Sequence, residues 1–291
     1  MIPDTSPSLG SASRPKQRID FVKHSDPTSE AVAEFSTIES IFIRERNCLL
    51  LRGDFSPIFT DYYLHLMDIG VRHPESLDSP MKDLLAVLGL HLCARPWAET
   101  IAWTANLRAP RVNYFATGSS TNEYLVGRLF TKDIREPDRN FLYSQTTTPG
   151  SQARLSTIEV ETTDPLRWIS HYYDQSEQRP GRAFRLPDDQ YALVAAQPDY
   201  DEEWFSSLTE ETVLKISEQE QIKHLESRRF QFRCGCSLER IAPTLRAWKD
   251  KPEELFGEKE VIHLECPRCS KRYCFSRDDL GNDDEKGDSK S

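Results

Sequence analysis

Four of the seven cysteines stand in two close pairs, Cys234-Gly235-Cys236 and Cys266-Pro267-Arg268-Cys269. Zinc takes four soft ligands in a tetrahedron, with sulfur at about 2.3 Å. In an extended segment residues i and i+2 face the same side, so an extended Cys234–Cys236 presents both sulfurs to one ion. A CxxC turn folds its own two sulfurs onto one point, and Pro267 stiffens that turn. The expectation is one structural zinc held by Cys234, Cys236, Cys266 and Cys269. His263 lies nearby, but four thiolates already fill the tetrahedron. Two close pairs in a reducing compartment argue against ordinary buried thiols and against structural disulfides. Cys48 and Cys93 sit in apolar stretches and read as core residues. Cys274, between Tyr273 and Phe275, reads as a packing residue, with a role as an exchange thiol as the sharper alternative.

The intervening sequence has the pattern of a small fold. Leu238, Ile241, Leu245 and Trp248 form a helical stripe. Val261–Glu265 leads back as a strand into the second pair, followed by Tyr273 and Phe275. Upstream, residues 198–230 are acidic, and Thr209 can cap a helix carrying Val213, Ile216, Ile222 and Leu225. That stretch reads as a helical linker of low intrinsic stability.

The larger part of the chain is α+β. The first strand is expected over Ser40–Leu51 and a helix over Ser56–Ile69. A second helix is capped by Ser79 with Pro80 at its first position; its apolar residues (Met81, Leu84, Leu85, Val87, Leu88, Leu90, Leu92) surround it, as in a buried helix. Short β-branched and aromatic runs between turn residues give strands at Thr100–Leu107, Val112–Thr117, Glu123–Thr131, Asn140–Gln145 and Leu155–Glu161. Asp164-Pro165 starts a helix through Tyr172, and strands follow near Arg182–Leu186 and Gln190–Ala196. The expected division is a disordered tail (1–35), an α+β core with a mixed sheet and packing helices (36–197), the helical linker (198–230), a zinc-binding domain (231–278) and a disordered tail (279–291).

With 291 residues, 37% hydrophobic and 29% charged, the chain supports a soluble core. No apolar run approaches the roughly 20 residues that span a bilayer. The Pro- and Ser-rich start has neither a basic n-region nor an apolar h-region. A cytoplasmic location without membrane association is expected. Net charge is 37 − 47 = −10. Residues 231–278 hold ten basic and eight acidic side chains, and zinc with four thiolates adds −2. That neutral balance disfavours nucleic-acid binding. The chain has no P-loop, GxGxxG, HExxH or GxSxG motif, and its histidines are scattered, so no enzyme is expected.

At the cysteines the chain resembles the redox-regulated 33 kDa heat-shock chaperone (33 kDa chaperonin) family. Phe232-Arg233-Cys234-Gly235-Cys236-Ser237-Leu238-Glu239-Arg240 is similar to that family's first zinc half-site. Cys266-Pro267-Arg268-Cys269, with Lys271, Arg272, Tyr273 and Phe275, is similar to the second. Tyr172-Tyr173, Ser176-Glu177-Gln178 and Pro180 resemble the segment ahead of the family's linker. The turn Leu107-Arg108-Ala109-Pro110-Arg111 lacks the family's glycines, and the stretch from Pro180 to Cys234 is shorter than the family's linker. The resemblance implies a holdase that works without ATP. Oxidant releases zinc, Cys234–Cys236 and Cys266–Cys269 disulfides form, the linker unfolds, and the exposed surface binds unfolding clients. A homodimer of the oxidised form is implied as well. An extended i, i+2 pair has Cβ atoms about 6.5–7 Å apart where a disulfide needs about 3.8 Å, so oxidation is expected to break the extended geometry. The alternative is a protein-interaction module with a purely structural zinc site and no redox switch.

Overall fold

The computed structural model describes residues 34–280. The tails expected at 1–35 and 279–291 lie outside the described residues, apart from 34, 35, 279 and 280; the last two belong to a 3-10 turn, Arg277–Leu280. The single strand expected over Ser40–Leu51 is a hairpin, Ser36–Ile43 (β1) and Cys48–Asp54 (β2), with Ile43 opposite Cys48. The chain reverses at 44–47, where Asn47 takes a left-handed φ of 45°, a conformation asparagine tolerates.

Helix α1 is Ser56–Asp68 and α2 is Glu75–Cys93. Helix α2 starts a turn before the expected Ser79 cap, with Pro74 as N-cap and Pro80 inside. Pro80 lacks only its own donor near the helix start, a loss that burial of the rest of α2 outweighs. Asp78 in that turn is buried and accepts from the Tyr62 and Tyr63 hydroxyls at 2.8 and 2.6 Å. As expected, α2 is buried all round from Leu84 to Cys93.

Strands Thr100–Leu107 (β3), Val112–Ser119 (β4), Tyr124–Phe130 (β5), Phe141–Thr147 (β6) and Arg154–Glu159 (β7) form an antiparallel array in the order β7-β6-β3-β4-β5. Helix Pro165–Tyr172 (α3) is capped by Asp164, whose carboxylate accepts from the Leu166 N–H at 3.0 Å. Gly181–Arg185 (β8) and Gln190–Ala196 (β9) continue the β1–β2 hairpin. Short helices Glu202–Ser207 (α4) and Glu210–Gln219 (α5) follow, the second opened by a Thr209–Thr212 capping box.

The helix expected to carry Ile222 and Leu225 ends at Gln219, and Ile222–Phe232 is a strand, β10. The reason is tertiary. β10 runs antiparallel to β1 from Ser36↔Phe230 to Ile43↔Ile222, and parallel to β5 at Gln231↔Tyr124 and Phe232↔Leu125. It therefore satisfies the backbone groups of two strand edges at once, which a weak apolar stripe on an isolated helix cannot match. The result is one ten-stranded mixed sheet, β7-β6-β3-β4-β5-β10-β1-β2-β9-β8.

Both faces of this sheet are used. One packs against α1, α2 and α3 around Trp103, Tyr114 and Trp168. The other, at β1, β2 and β9, is covered by α4 and α5 through Phe205, Leu208, Val213 and Ile216. Arg228 of β10 is buried and donates to the carbonyls of Leu92 and Arg95 at 2.7 and 2.9 Å, a cation at the C-terminal end of α2. After β10 come Leu238–Leu245 (α6), Pro252–Phe256 (α7), Val261–Glu265 (β11) and Arg272–Ser276 (β12). Strands β11 and β12 form a separate hairpin, over a small core of Ala242, Phe256, Phe275 and Leu280.

Candidate metal centre

Both half-sites grow out of strand ends. Past β10 the Arg233 N–H still bonds to Leu125 O at 2.9 Å, which carries the chain alongside β5 up to Cys234. Gly235 then takes φ +65°. The expected extended Cys234–Cys236 geometry is thus broken at Gly235, and glycine is the residue that takes this φ without steric cost. The expectation that oxidation must break an extended pair loses its premise. At the second half-site the β11–β12 hairpin is closed by Cys266-Pro267-Arg268-Cys269, with Cys266 N–H bonding to Lys271 O at 2.8 Å and Ser270 N–H to Cys266 O at 2.9 Å.

These turns bring Cys234, Cys236, Cys266 and Cys269 together, with their sulfur atoms all within 4.8 Å of one another. Cys234 Sγ lies 3.6 Å from Cys266 Sγ, and Cys236 Sγ 3.5 Å from Cys269 Sγ. A tetrahedron of four sulfurs at the zinc–thiolate distance has edges of about 3.8 Å. The cluster therefore fits a zinc-sized ion with little adjustment. Cys266 and Cys269 are buried and the other two half-buried.

The S–H of Cys269 donates toward Cys234 and, with Cys236, Cys266 and the Arg268 charge, pulls the Cys234 thiol down to about 5 against the effect of burial. Cys269 is pushed up because its proton is held toward Cys234 and because it is buried. Cys266 is raised chiefly by burial. A thiol that coordinates a divalent ion is deprotonated outright.

The partners of this cluster come from far along the chain. Val126 of β5 packs against Cys266 and Cys269 on the face of the sheet opposite α2. Arg128, also on β5, donates to Cys266 O at 2.9 Å and to Glu265 at 2.6 Å. His65 of α1 places Nε2 2.6 Å from Cys269 O. The Tyr273 hydroxyl donates to Cys236 O at 2.8 Å and lies 3.0 Å from Cys236 Sγ. The hairpin is thereby docked on the large sheet through the backbone of its own cysteines. His65 and Arg128 were not legible as site residues, since 204 and 138 residues separate them from their partners.

Of the remaining cysteines, Cys48 and Cys93 are buried in the core as expected. Cys274 is exposed rather than packed, because β12 turns Phe275 inward and its neighbour therefore outward. Its sulfur lies 3.5 Å from His263 Nδ1, on the paired residue of β11. His263 is directed to Cys274 and away from the four-sulfur cluster.

The family described as "Hsp33 protein" matches residues 185–276. The chain is 25% identical to the 33 kDa chaperonin of Nitrosococcus oceani over 155 residues, covering 46% of this chain and 54% of that one. It is 40% identical to the 33 kDa chaperonin of Bacillus cytotoxicus over 67 residues, 23% of each. The chain spans about half the length, or less, of the curated relatives it matches. The crystal structure of the 33 kDa chaperonin of Thermotoga maritima superposes with a TM-score of 0.64 at 12% identity, covering 86% of this chain and 97% of that one. The chain is thus similar to the Hsp33 family in its C-terminal sequence, and it shares the fold of a 33 kDa chaperonin.

Proposed function

We propose that the protein is a redox-regulated, ATP-independent holdase of the cytoplasm, with zinc held by Cys234, Cys236, Cys266 and Cys269. The observation that carries this reading is the docking of a four-sulfur cluster on the sheet through Val126, Arg128 and His65. Zinc, when bound, supplies the cross-link that holds the two half-sites together, worth about 10–16 kcal/mol in small metal-folded units. The small domain's own core is only four buried side chains, too little to fold it alone.

Peroxide takes two electrons from each pair of thiolates and leaves as water, and each pair becomes a disulfide. The sulfur contacts of 3.6 and 3.5 Å run between the half-sites. Once the half-sites separate, closure within Cys234–Cys236 and within Cys266–Cys269 spans the shortest loops, which supports the pairing the family implies. Undocking then bares Val126 and opens a crevice of about 460 Å³ that Phe115 and Phe130 line together with Pro267. That surface is suited to apolar segments of unfolding clients.

A second reading has an observation of its own. The stretch expected to act as a labile linker is held by the large sheet: Phe205, Leu208, Val213 and Ile216 are buried against it, and β10 lies within it. Loss of the metal removes none of those contacts. This favours an interaction module whose zinc site is only structural. The deciding experiment follows zinc release and suppression of client aggregation in parallel during peroxide treatment. Suppression that rises with zinc release supports the holdase. Complete zinc release with no suppression supports the structural reading, and full suppression by the reduced, zinc-loaded form removes the switch.

A further inference from the structure

Beside Cys234 lies a crevice of about 370 Å³ into which three guanidiniums converge, those of Arg233, Arg240 and Arg268, with Asn122 and Tyr124 completing its walls. Each arginine is steered by a backbone carbonyl. Arg240 Nη1 donates to Gly235 O at 2.8 Å, Arg233 Nη2 to Asn122 O at 3.2 Å and Arg268 Nη1 to Cys234 O at 3.4 Å.

Much of the donor capacity remains. Among the described residues no carboxylate pairs with any of the three, although most other arginines of the fold have one. A guanidinium carries five donors. Arg233 and Arg240 are exposed and their free N–H groups are open to a ligand. Arg268 lies over the Tyr124 ring at 5.0 Å, and its Nε and Nη2 are buried with no hydrogen-bond partner. Four thiolates around a divalent ion carry −2, so the three arginines leave +1 at the crevice. This is a local excess of positive charge in a chain whose net charge is −10.

We propose that the crevice binds a small oxyanion (phosphate, sulfate or a free carboxylate), with Arg233 and Arg240 donating to its oxygens and Arg268 supplying the field. Paired, planar donors held by the backbone suit such oxygens. Cys234 forms part of the wall. The site is independent of whether the protein is a redox-switched holdase.

The test uses the full chain, reduced and zinc-loaded, titrated with inorganic phosphate against chloride at constant ionic strength, and read by amide nuclear magnetic resonance shifts. Saturable shifts are expected at Asn122, Tyr124, Arg233 and Gly235, and sulfate should compete for the same amides. Arg240→Gln, and separately Arg233→Gln, should raise the half-saturating phosphate concentration by about tenfold, as loss of a charged hydrogen bond would. Zinc content should be unchanged in both, and Arg139→Gln, at a distant exposed pair, should leave the titration as it is. Non-saturating shifts spread over surface arginines, failure of sulfate to compete, or saturable shifts that persist in the Arg233→Gln/Arg240→Gln double variant would overturn the proposal and leave the three arginines as counter-charge to the thiolates.

Discussion

Cys269 is 1% exposed and lies within contact distance of Cys236, and a serine hydroxyl does not replace its thiolate on zinc. Cys269→Ser should lower zinc affinity by more than the roughly 10–100-fold that follows loss of an outer partner. His263→Ala, whose ring is turned to Cys274, should leave zinc content at one per chain. Chelator competition on the reduced protein distinguishes these outcomes. A different residue contributes to the acid sensitivity of the fold. His91 is completely buried, stacked on Trp103 and 3.1 Å from the Tyr173 hydroxyl, while its Nε2 has no partner. Burial, then the charges of Arg95 and Arg179, hold its pKa well below the usual histidine value. The unfolded chain therefore binds a proton near pH 6.5 that the folded chain refuses. This contribution to stability is intact above that pH and is lost as pH falls below it. The slope tends toward about 1.4 kcal/mol per pH unit. Urea midpoints measured from pH 7.5 to 5.5 should fall less steeply for His91→Phe than for the parent protein. Equal slopes would sink the assignment to His91.

Elements explain how much of this was legible. The strands from Thr100 to Ala196 follow alternation and turn residues closely, because each lies beside its sequence neighbour and local pattern decides it. Thr209 and Asp164 cap their helices because capping is local chemistry. What failed was non-local. Ile222 and Leu225 continue a helical spacing, yet two strand edges far away in sequence claim that segment as β10. The four cysteines were readable since spacing carries their chemistry. Nothing near Arg128 or His65 marks them, because a carbonyl acceptor can belong to any residue. Their role can be measured. Arg128→Gln should raise the rate of zinc loss to a chelator by roughly tenfold, the lower end for an outer partner. The salt bridge from Arg128 to the half-exposed Glu265 adds little by itself. An unchanged rate would mean that the hairpin holds its metal without help from β5.

Across the whole molecule, the four-cysteine cluster and the large core belong to different regions. Chelation should remove amide protection around Ala242, Phe256 and Phe275, whose core is small, and spare β1–β9. β10 is the informative strand. It runs directly into Cys234, yet its hydrogen bonds go to β1 and β5, so its protection should survive chelation up to about Phe230. Hydrogen exchange on the zinc-free protein checks this. Loss of protection in β10 and β1 together would show that the metal supports the sheet itself.

The central place of β10 also bears on synthesis. The chain is made from its N-terminus, and β1 is complete long before Ile222 exists. Through all of residues 44–221, the sheet can form only as two separate halves, β7-β6-β3-β4-β5 and β1-β2-β9-β8. Each then carries a bare inner edge open to pairing with other chains. The strand that joins them emerges only just ahead of the first cysteine pair, so a nascent chain exposes two unpaired strand edges until β10 has left the ribosome.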